Sequence, residues 1–207
     1  MSRGSVLTTT SYAILGLLAM QPWSTYELTR QMDRSLGRVW PRAQSKLYEE
    51  PKKLVEHGLA VATTEQVGKR PRTVYAITDE GRAALAAWLQ EPGAGPVLEF
   101  EQLLKIGFAP GGTKADAMAS IAAARAWARE RNAENLAAAK SYAAGEGPFQ
   151  HRLAQNMLAG AFFTDFYAMV ARWADWATAQ VERWPENPED AVPDPAALEE
   201  ILRRAQW

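Results

Sequence analysis

A chain of 207 residues with 47% hydrophobic content is long enough to bury a core, which excludes the disordered and fibrous classes. It has no cysteine, so disulfides and thiolate zinc sites are excluded, and its longest apolar runs, such as Tyr12 to Met20, are too short to cross a bilayer. The formal net charge of -1 conceals an asymmetry: residues 1–90 hold 12 Lys and Arg against 8 Asp and Glu, or +4, while the remainder holds 11 against 16, or -5.

A basic half joined to an acidic half suits a nucleic-acid-binding module attached to a module that does not bind. No start region joins basic residues, an apolar core and a cleavage site, so a soluble cytoplasmic protein with no membrane partner is expected.

Residues 8–20 place Ala13, Ile14, Leu17, Leu18 and Met20 on one helical stripe, which Pro22 ends. Ser24 with Glu27 three residues on forms a capping-box pattern that opens a second, short amphipathic helix through Leu28 and Met32, ending at Gly37. A third helix spans about Arg42 to His57 and closes on Gly58, a residue suited to a left-handed cap. Pro51 lies inside it, where the missing amide and the crowded carbonyl of Leu47 predict a kink or restart. LAVATTEQ, a turn-prone VGKRPR and TVYAIT then read as a β-hairpin with a basic tip. Thr78 caps a fourth helix, DEGRAALAAWL, which ends at the EPGAGP stretch of residues 91–96 and predicts two domains, 1–90 and 91–207.

In the second of these, EFEQLLKIGFAP (99–110) reads as a short apolar helix and alanine-rich residues 114–144 as a long one, broken by Gly145, Gly147 and Pro148. From Phe149 to Trp184 no proline interrupts, and Leu158, Phe162, Phe166, Met169, Trp173 and Trp176 recur every three or four residues, the pattern of one long aromatic helix. Residues 185–195 read as a loop and Ala196 to Arg204 as a last amphipathic helix. The expected fold class is mainly α with a small β-hairpin: an N-terminal winged helix-turn-helix and a C-terminal helical domain.

Three helices followed by a basic hairpin is the order of a winged helix-turn-helix, whose third helix lies in the major groove and whose hairpin tip reaches adjacent backbone. Arg42, Gln44, Ser45, Lys46 and Tyr48 supply donors for base edges and phosphates in the opening turns of that helix, with Lys52 and Lys53 further along near backbone. Tyr26, opening the second helix, joins this DNA-facing set. At the hairpin tip Lys69, Arg70 and Arg72 put three positive charges within four residues, each able to neutralise a phosphate, and Pro71 stiffens the turn. Taken alone, basic residues in an exposed turn are equally well read as solvated charge; the helices before them favour DNA.

The blocks SYAILGLL (11–18), STYEL (24–28), SKLYEEPKKLVEHGLA (45–60) and TVYAITDEGRAALAAWL (73–89) together resemble the PadR-like transcription regulators, in that family's order and spacing, and cover most of residues 8–90. Two departures touch helix geometry: Thr25 precedes Tyr26 where the family usually has Gly-Tyr, and Pro51 stands where an apolar residue is common. The resemblance implies double-stranded DNA as partner, a homodimer on a pseudo-palindromic operator and, as the family's usual sign, repression. EFEQLLKIGFAP is similar to the opening of the C-terminal domain in the longer, AphA-like branch, which implies a helical dimerisation module and leaves activation open.

Independently, the apolar stripe over residues 149–184 is too wide for a two-helix seam and calls for a further partner surface. Trp127, Phe162, Phe163, Phe166, Tyr167, Trp173 and Trp176 are therefore expected at core and dimer interface, with a pocket for a small aromatic effector as the alternative. Trp88, ending the fourth helix, is either a coupling between the halves or a core anchor.

An enzyme is not expected. The chain has only His57 and His151, no HExxH, GxSxG or GxxxxGK spacing, and its pairs Glu49–Glu50 and Glu199–Glu200 diverge by about a hundred degrees on a helix. No metal or cofactor is expected either. A winged helix that contacts protein and never touches DNA is the remaining alternative, and the wing charges argue against it.

Overall fold

The structure of the chain, a computed structural model, describes residues 6–41, 43–67 and 70–206. Its contacts separate the chain between Pro96 and Val97 into two units.

In the first unit, helix α1 (Thr9–Leu18) opens on a capping box in which the Thr8 hydroxyl accepts from the Ser11 amide and the Ser11 hydroxyl accepts from the Thr8 amide. Ile14, Leu15, Leu17 and Leu18 are buried, so α1 is a core helix. Strand β1 (Trp23–Ser24) leads into α2 (Thr25–Gln31), which runs on through a π-helical segment, Met32–Leu36, to Gly37. Helix α3 (Gln44–Glu56) packs on both and buries Leu47, Pro51 and Leu54. Gly58 takes the left-handed conformation, φ +71°, that ends it.

The expected restart at Pro51 does not occur: α3 runs through it. The proline ring is fully buried among the apolar residues of the core, and that burial offsets the lost backbone hydrogen bond.

Strands β2 (Ala60–Val67) and β3 (Arg70–Ile77) pair antiparallel from Ala60 opposite Ile77 to Val67 opposite Arg70, and β1 joins the other side of β3 through Trp23–Tyr75 and Ser24–Val74. The turn is therefore shorter than VGKRPR suggested, and Arg70, Pro71 and Arg72 are strand residues. Because β1 is only two residues long, β3 has an open edge at Pro71, the setting in which a strand admits proline. Helix α4 (Asp79–Gln90) is capped by Thr78, whose hydroxyl accepts from the Gly81 amide and donates to the Gly58 carbonyl. It returns to α1, where Trp88 stacks on Tyr12 with centroids 5.2 Å apart and planes within 5°. Both rings are half-buried.

The second unit comprises α5 (Glu101–Gly107), α6 (Lys114–Ala143), α7 (Leu153–Val181) and α8 (Pro195–Arg204). Helix α6 starts on a Thr113–Asp116 capping box, and the hydrogen bond from the Thr113 hydroxyl holds the Asp116 carboxyl below its ordinary range. The buried positions of α6 (Ala117, Ile121, Ala124, Ala128 and, two turns on, Asn135) and of α7 (Tyr167, Val170, Ala174, Ala177, Val181) keep helical spacing and form one seam. Cross-links show that it is antiparallel. Lys114 donates to the carbonyls of Glu182 and Trp184, Arg125 pairs with Asp175 at 2.8 Å, and Asn135 donates to the Thr164 hydroxyl at 2.8 Å.

Two expectations for α7 change. It begins at Leu153 and not at Phe149, because Phe149 is left-handed (φ +56°) and a 3-10 turn, Gln150–Arg152, intervenes. The buried stripe is also not the aromatic one: Leu158, Phe162 and Met169 are exposed, while the smaller residues Val170, Ala174, Ala177 and Val181 face α6.

Candidate nucleic-acid interface

Helix α3 sorts its residues by side. Leu47, Glu50, Pro51 and Leu54 point inward and are buried; Ser45, Lys46, Tyr48, Glu49 and Lys52 are exposed, with Ser45, Tyr48, Glu49 and Lys52 on one stripe at helical spacing. Among the described residues Lys46 and Lys52 make no ion pair. Tyr26 is 61% exposed on α2, and the Arg30 guanidinium lies over its ring at 5.6 Å while donating to its hydroxyl at 3.4 Å. Gln44 is the first residue of α3, and Arg70 is the first of β3, opposite Val67. Arg42 and Lys69 lie outside the described residues.

Two residues expected on phosphates are otherwise engaged. Lys53 falls one position past Lys52, back toward the core: its ammonium donates to the Val6 carbonyl and stands 3.8 Å from the Glu50 carboxylate. Glu50 in turn accepts from the Ser11 hydroxyl at 2.6 Å, so a buried polar chain fastens α3 to α1. Arg72 is not at the tip. The β2–β3 register puts it opposite Glu65, whose Oε2 accepts from its Nε at 3.2 Å and its Nη2 at 2.9 Å, while its Nη1 is 3.5 Å from Glu27 Oε1.

Adjacent on the helix, Glu49 and Glu50 take separate roles, one exposed and one buried, which the pairing alone does not reveal. The i, i+3 spacing of Glu50 and Lys53 is a local signal that points to their ion pair; the Ser11–Glu50 bond spans 39 residues and has no local signature. Glu49 leaves one carboxylate on the otherwise cationic outer face.

At the start of α2, Glu27 Oε2 accepts from both the Ser24 amide (2.8 Å) and hydroxyl (2.7 Å), and the Ser24 hydroxyl accepts from the Glu27 amide. These bonds, the hydroxyl first, hold the Glu27 carboxyl below its ordinary range, helped by the charge of Arg72. With the folded value depressed, this stabilisation is complete above the ordinary glutamate value of about 4.3 and is lost as pH falls through the depressed one. Ser24→Ala is expected to cost about 1 kcal/mol at neutral pH, and less as pH falls below that window. Denaturant titrations at a series of pH values check this; an equal loss at all of them would refute the assignment.

The seven aromatics of the second unit do not form one group. Trp127, Phe162, Phe163, Phe166 and Tyr167 are a cluster, with Trp127 edge-on to Phe166 (6.1 Å) and Tyr167 (5.6 Å), and Phe163 stacked on Tyr167 at 5.8 Å. Trp173 instead meets Phe100 at 5.5 Å, and the Trp176 indole donates to Glu200 at 3.0 Å. An open groove in this unit is lined by other residues, chiefly Leu98, Phe100, Leu103, Leu104 and Phe108.

Residues 14–87 match the model of the transcriptional regulator PadR-like family. The chain carries a PadR-like domain. Over 82 residues, 39% of the chain, it is 42% identical to a probable transcriptional regulator of Mycobacterium tuberculosis; over 79 residues, 38% of the chain, it is 39% identical to the negative transcriptional regulator PadR of Bacillus subtilis. Each match spans 43% of the relative's own length. Both relatives bear the names of regulators and neither that of an enzyme.

The fold extends further than these sequence matches. The structure of B. subtilis PadR in complex with operator DNA is 24% identical with a TM-score of 0.69, covering 84% of the chain and 99% of PadR. PadR in complex with p-coumaric acid (23%, TM-score 0.65, coverage 84% and 95%) and the Vibrio cholerae virulence activator AphA (24%, TM-score 0.63, coverage 84% and 98%) are similar too. The likeness of fold thus takes in the winged helix, where the family match lies, and helices of the second unit. Among the described residues no helix is long and apolar enough to cross a membrane, and no group of three or more His, Cys, Asp or Glu is placed to hold a metal.

Proposed function

We propose that the chain is a cytoplasmic, DNA-binding transcription regulator that acts as a homodimeric repressor on a pseudo-palindromic operator. The observation that carries this is the outer face of α3, where Ser45, Lys46, Tyr48 and Lys52 stand exposed and the two lysines make no ion pair among the described residues, within a PadR-like domain. Residues 1–90 form the DNA-binding domain and residues 91–207 the dimerisation and effector-sensing domain in this reading. Gln44 and Tyr26, with Arg42, Lys69 and Arg70, complete the contact set. Repression is favoured by the name of one relative, a negative regulator, and DNA by the fold neighbour held on its operator.

Dimerisation is supported by the exposed apolar side of α7, where Met157, Leu158, Phe162 and Met169 would be solvated in a lone chain. In a twofold dimer the recognition helices meet half-sites about one DNA turn apart. Light scattering is expected to give twice the chain mass at micromolar concentration; the mass of a single chain would overturn this part.

A small aromatic effector is the second element of the reading. Its support is the fold neighbour that holds p-coumaric acid, together with the cluster around Trp127 and Phe166. The decisive experiment selects bound sites from random duplexes and then screens small aromatic acids for release. Enrichment of a two-fold symmetric site is expected, and no enrichment at low salt would overturn the DNA-binding reading.

A further inference from the structure

We infer that Arg72 is a positioning residue that ties the wing to α2, and not a phosphate contact; this inference rests on the DNA-binding reading above. All three guanidinium nitrogens face carboxylates of the protein: Nε and Nη2 one oxygen of Glu65 across the hairpin, Nη1 one of Glu27 on α2. Glu27 divides its two oxygens between the same tasks, Oε2 capping α2 through Ser24 and Oε1 facing Arg72. Ser24 itself pairs with Val74 of β3. The series Ser24, Glu27, Arg72, Glu65 therefore links the first turn of α2 to both strands of the wing.

The charges around Arg72 give the same answer as its geometry. A phosphate drawn to this guanidinium would have to approach two carboxylates, Glu65 and Glu27, and displace them. Lys52 shares its stripe with Glu49 but makes no ion pair among the described residues, so a phosphate there displaces no carboxylate already bound. Arg72 thus serves the duplex by fixing where the hairpin stands. All three side chains are a little under half exposed, so the effect of breaking the series is modest, roughly two- to fivefold.

The full chain with Arg72→Ala, with Glu65→Gln and with Lys52→Ala is compared on a random-sequence duplex across a range of salt concentrations. Glu65 is chosen over Glu27 because Glu27 also caps a helix. Lys52→Ala is expected to lower the slope of log affinity against log salt by about 0.9 per contact, and Arg72→Ala to leave it unchanged. Glu65→Gln carries the sharper sign: although it removes a negative charge, it is expected to weaken binding roughly two- to fivefold, as Arg72→Ala does. A slope lowered by Arg72→Ala, together with tighter binding by Glu65→Gln, would overturn the inference and return Arg72 to the phosphates.

Amide hydrogen exchange of the free protein judges the tie without any duplex. Both variants are expected to raise exchange along β2 and β3 by a similar factor, and exchange unchanged in both would overturn the tie. If the unaltered chain fails to bind duplex at low salt, the regulator reading falls, and exchange alone decides whether Arg72 holds the wing.

Discussion

Gly81→Ala is expected to destabilise the winged domain severely, reversing the ordinary benefit of alanine in a helix. In an open helix that exchange gains up to about 1 kcal/mol. A β-carbon on Gly81, however, would fall on the carbonyl oxygen of Leu59 and within 2.8 Å of Ile77 Cγ1. That carbonyl cannot move away cheaply, because it accepts from the Thr78 amide at 3.1 Å and belongs to the buried junction between α3 and β2. The first turn of α4 must shift instead, opening the contact that seats Thr78 against Gly58. Overpacking of this kind costs about 3 kcal/mol, and the melting transition of a unit this size should fall by roughly 12–24 °C. Gly16→Ala in α1 is the control, since a β-carbon there meets nothing within 4 Å; its transition should hold or rise. Equal melting of both variants, followed by calorimetry, would show that α4 does not approach Leu59 this closely.

The second large effect is on affinity. Replacing Lys46 and Lys52 together by alanine removes two charges per chain, four per dimer. Each phosphate contact contributes about 0.9 to the salt slope, so the slope should fall by about 3.6 and affinity near physiological salt by about a thousandfold. Both side chains are exposed and neither forms an ion pair among the described residues, so thermal stability should hardly change. Titration of a labelled duplex at several salt concentrations measures both quantities. A slope left intact would place the duplex elsewhere on the protein.

What was readable in the chain was what is encoded within a few residues. The Ser24–Glu27 box, the Thr78 cap and the left-handed Gly58 are contacts between near neighbours, and each stands where its pattern put it. The regulator blocks between Ser11 and Leu89 added the order of elements. Partnerships formed only by folding are not readable there: charge type alone points Arg72 to phosphate, yet its carboxylates are 7 and 45 residues away. Lys53 likewise has a partner, Glu50, that is held from α1. The length of the wing turn was hidden because Pro71 is admissible in β3 only while β1 stops at two residues. In α7 the period was visible but not the inward side, since Phe and Trp dominate hydropathy while alanine and valine make the seam.

That seam has a mechanical consequence. Ala117, Ile121, Ala124 and Ala128 meet Val170, Ala174 and Ala177 across a gap sized for methyl groups, pinned at separate heights by Lys114, Arg125 and Asn135. Bringing the next residue of α7 into the seam would turn the helix through about 100°, breaking the Arg125–Asp175 and Asn135–Thr164 pairings. The pair therefore has a single tooth setting, like two racks cut to one pitch.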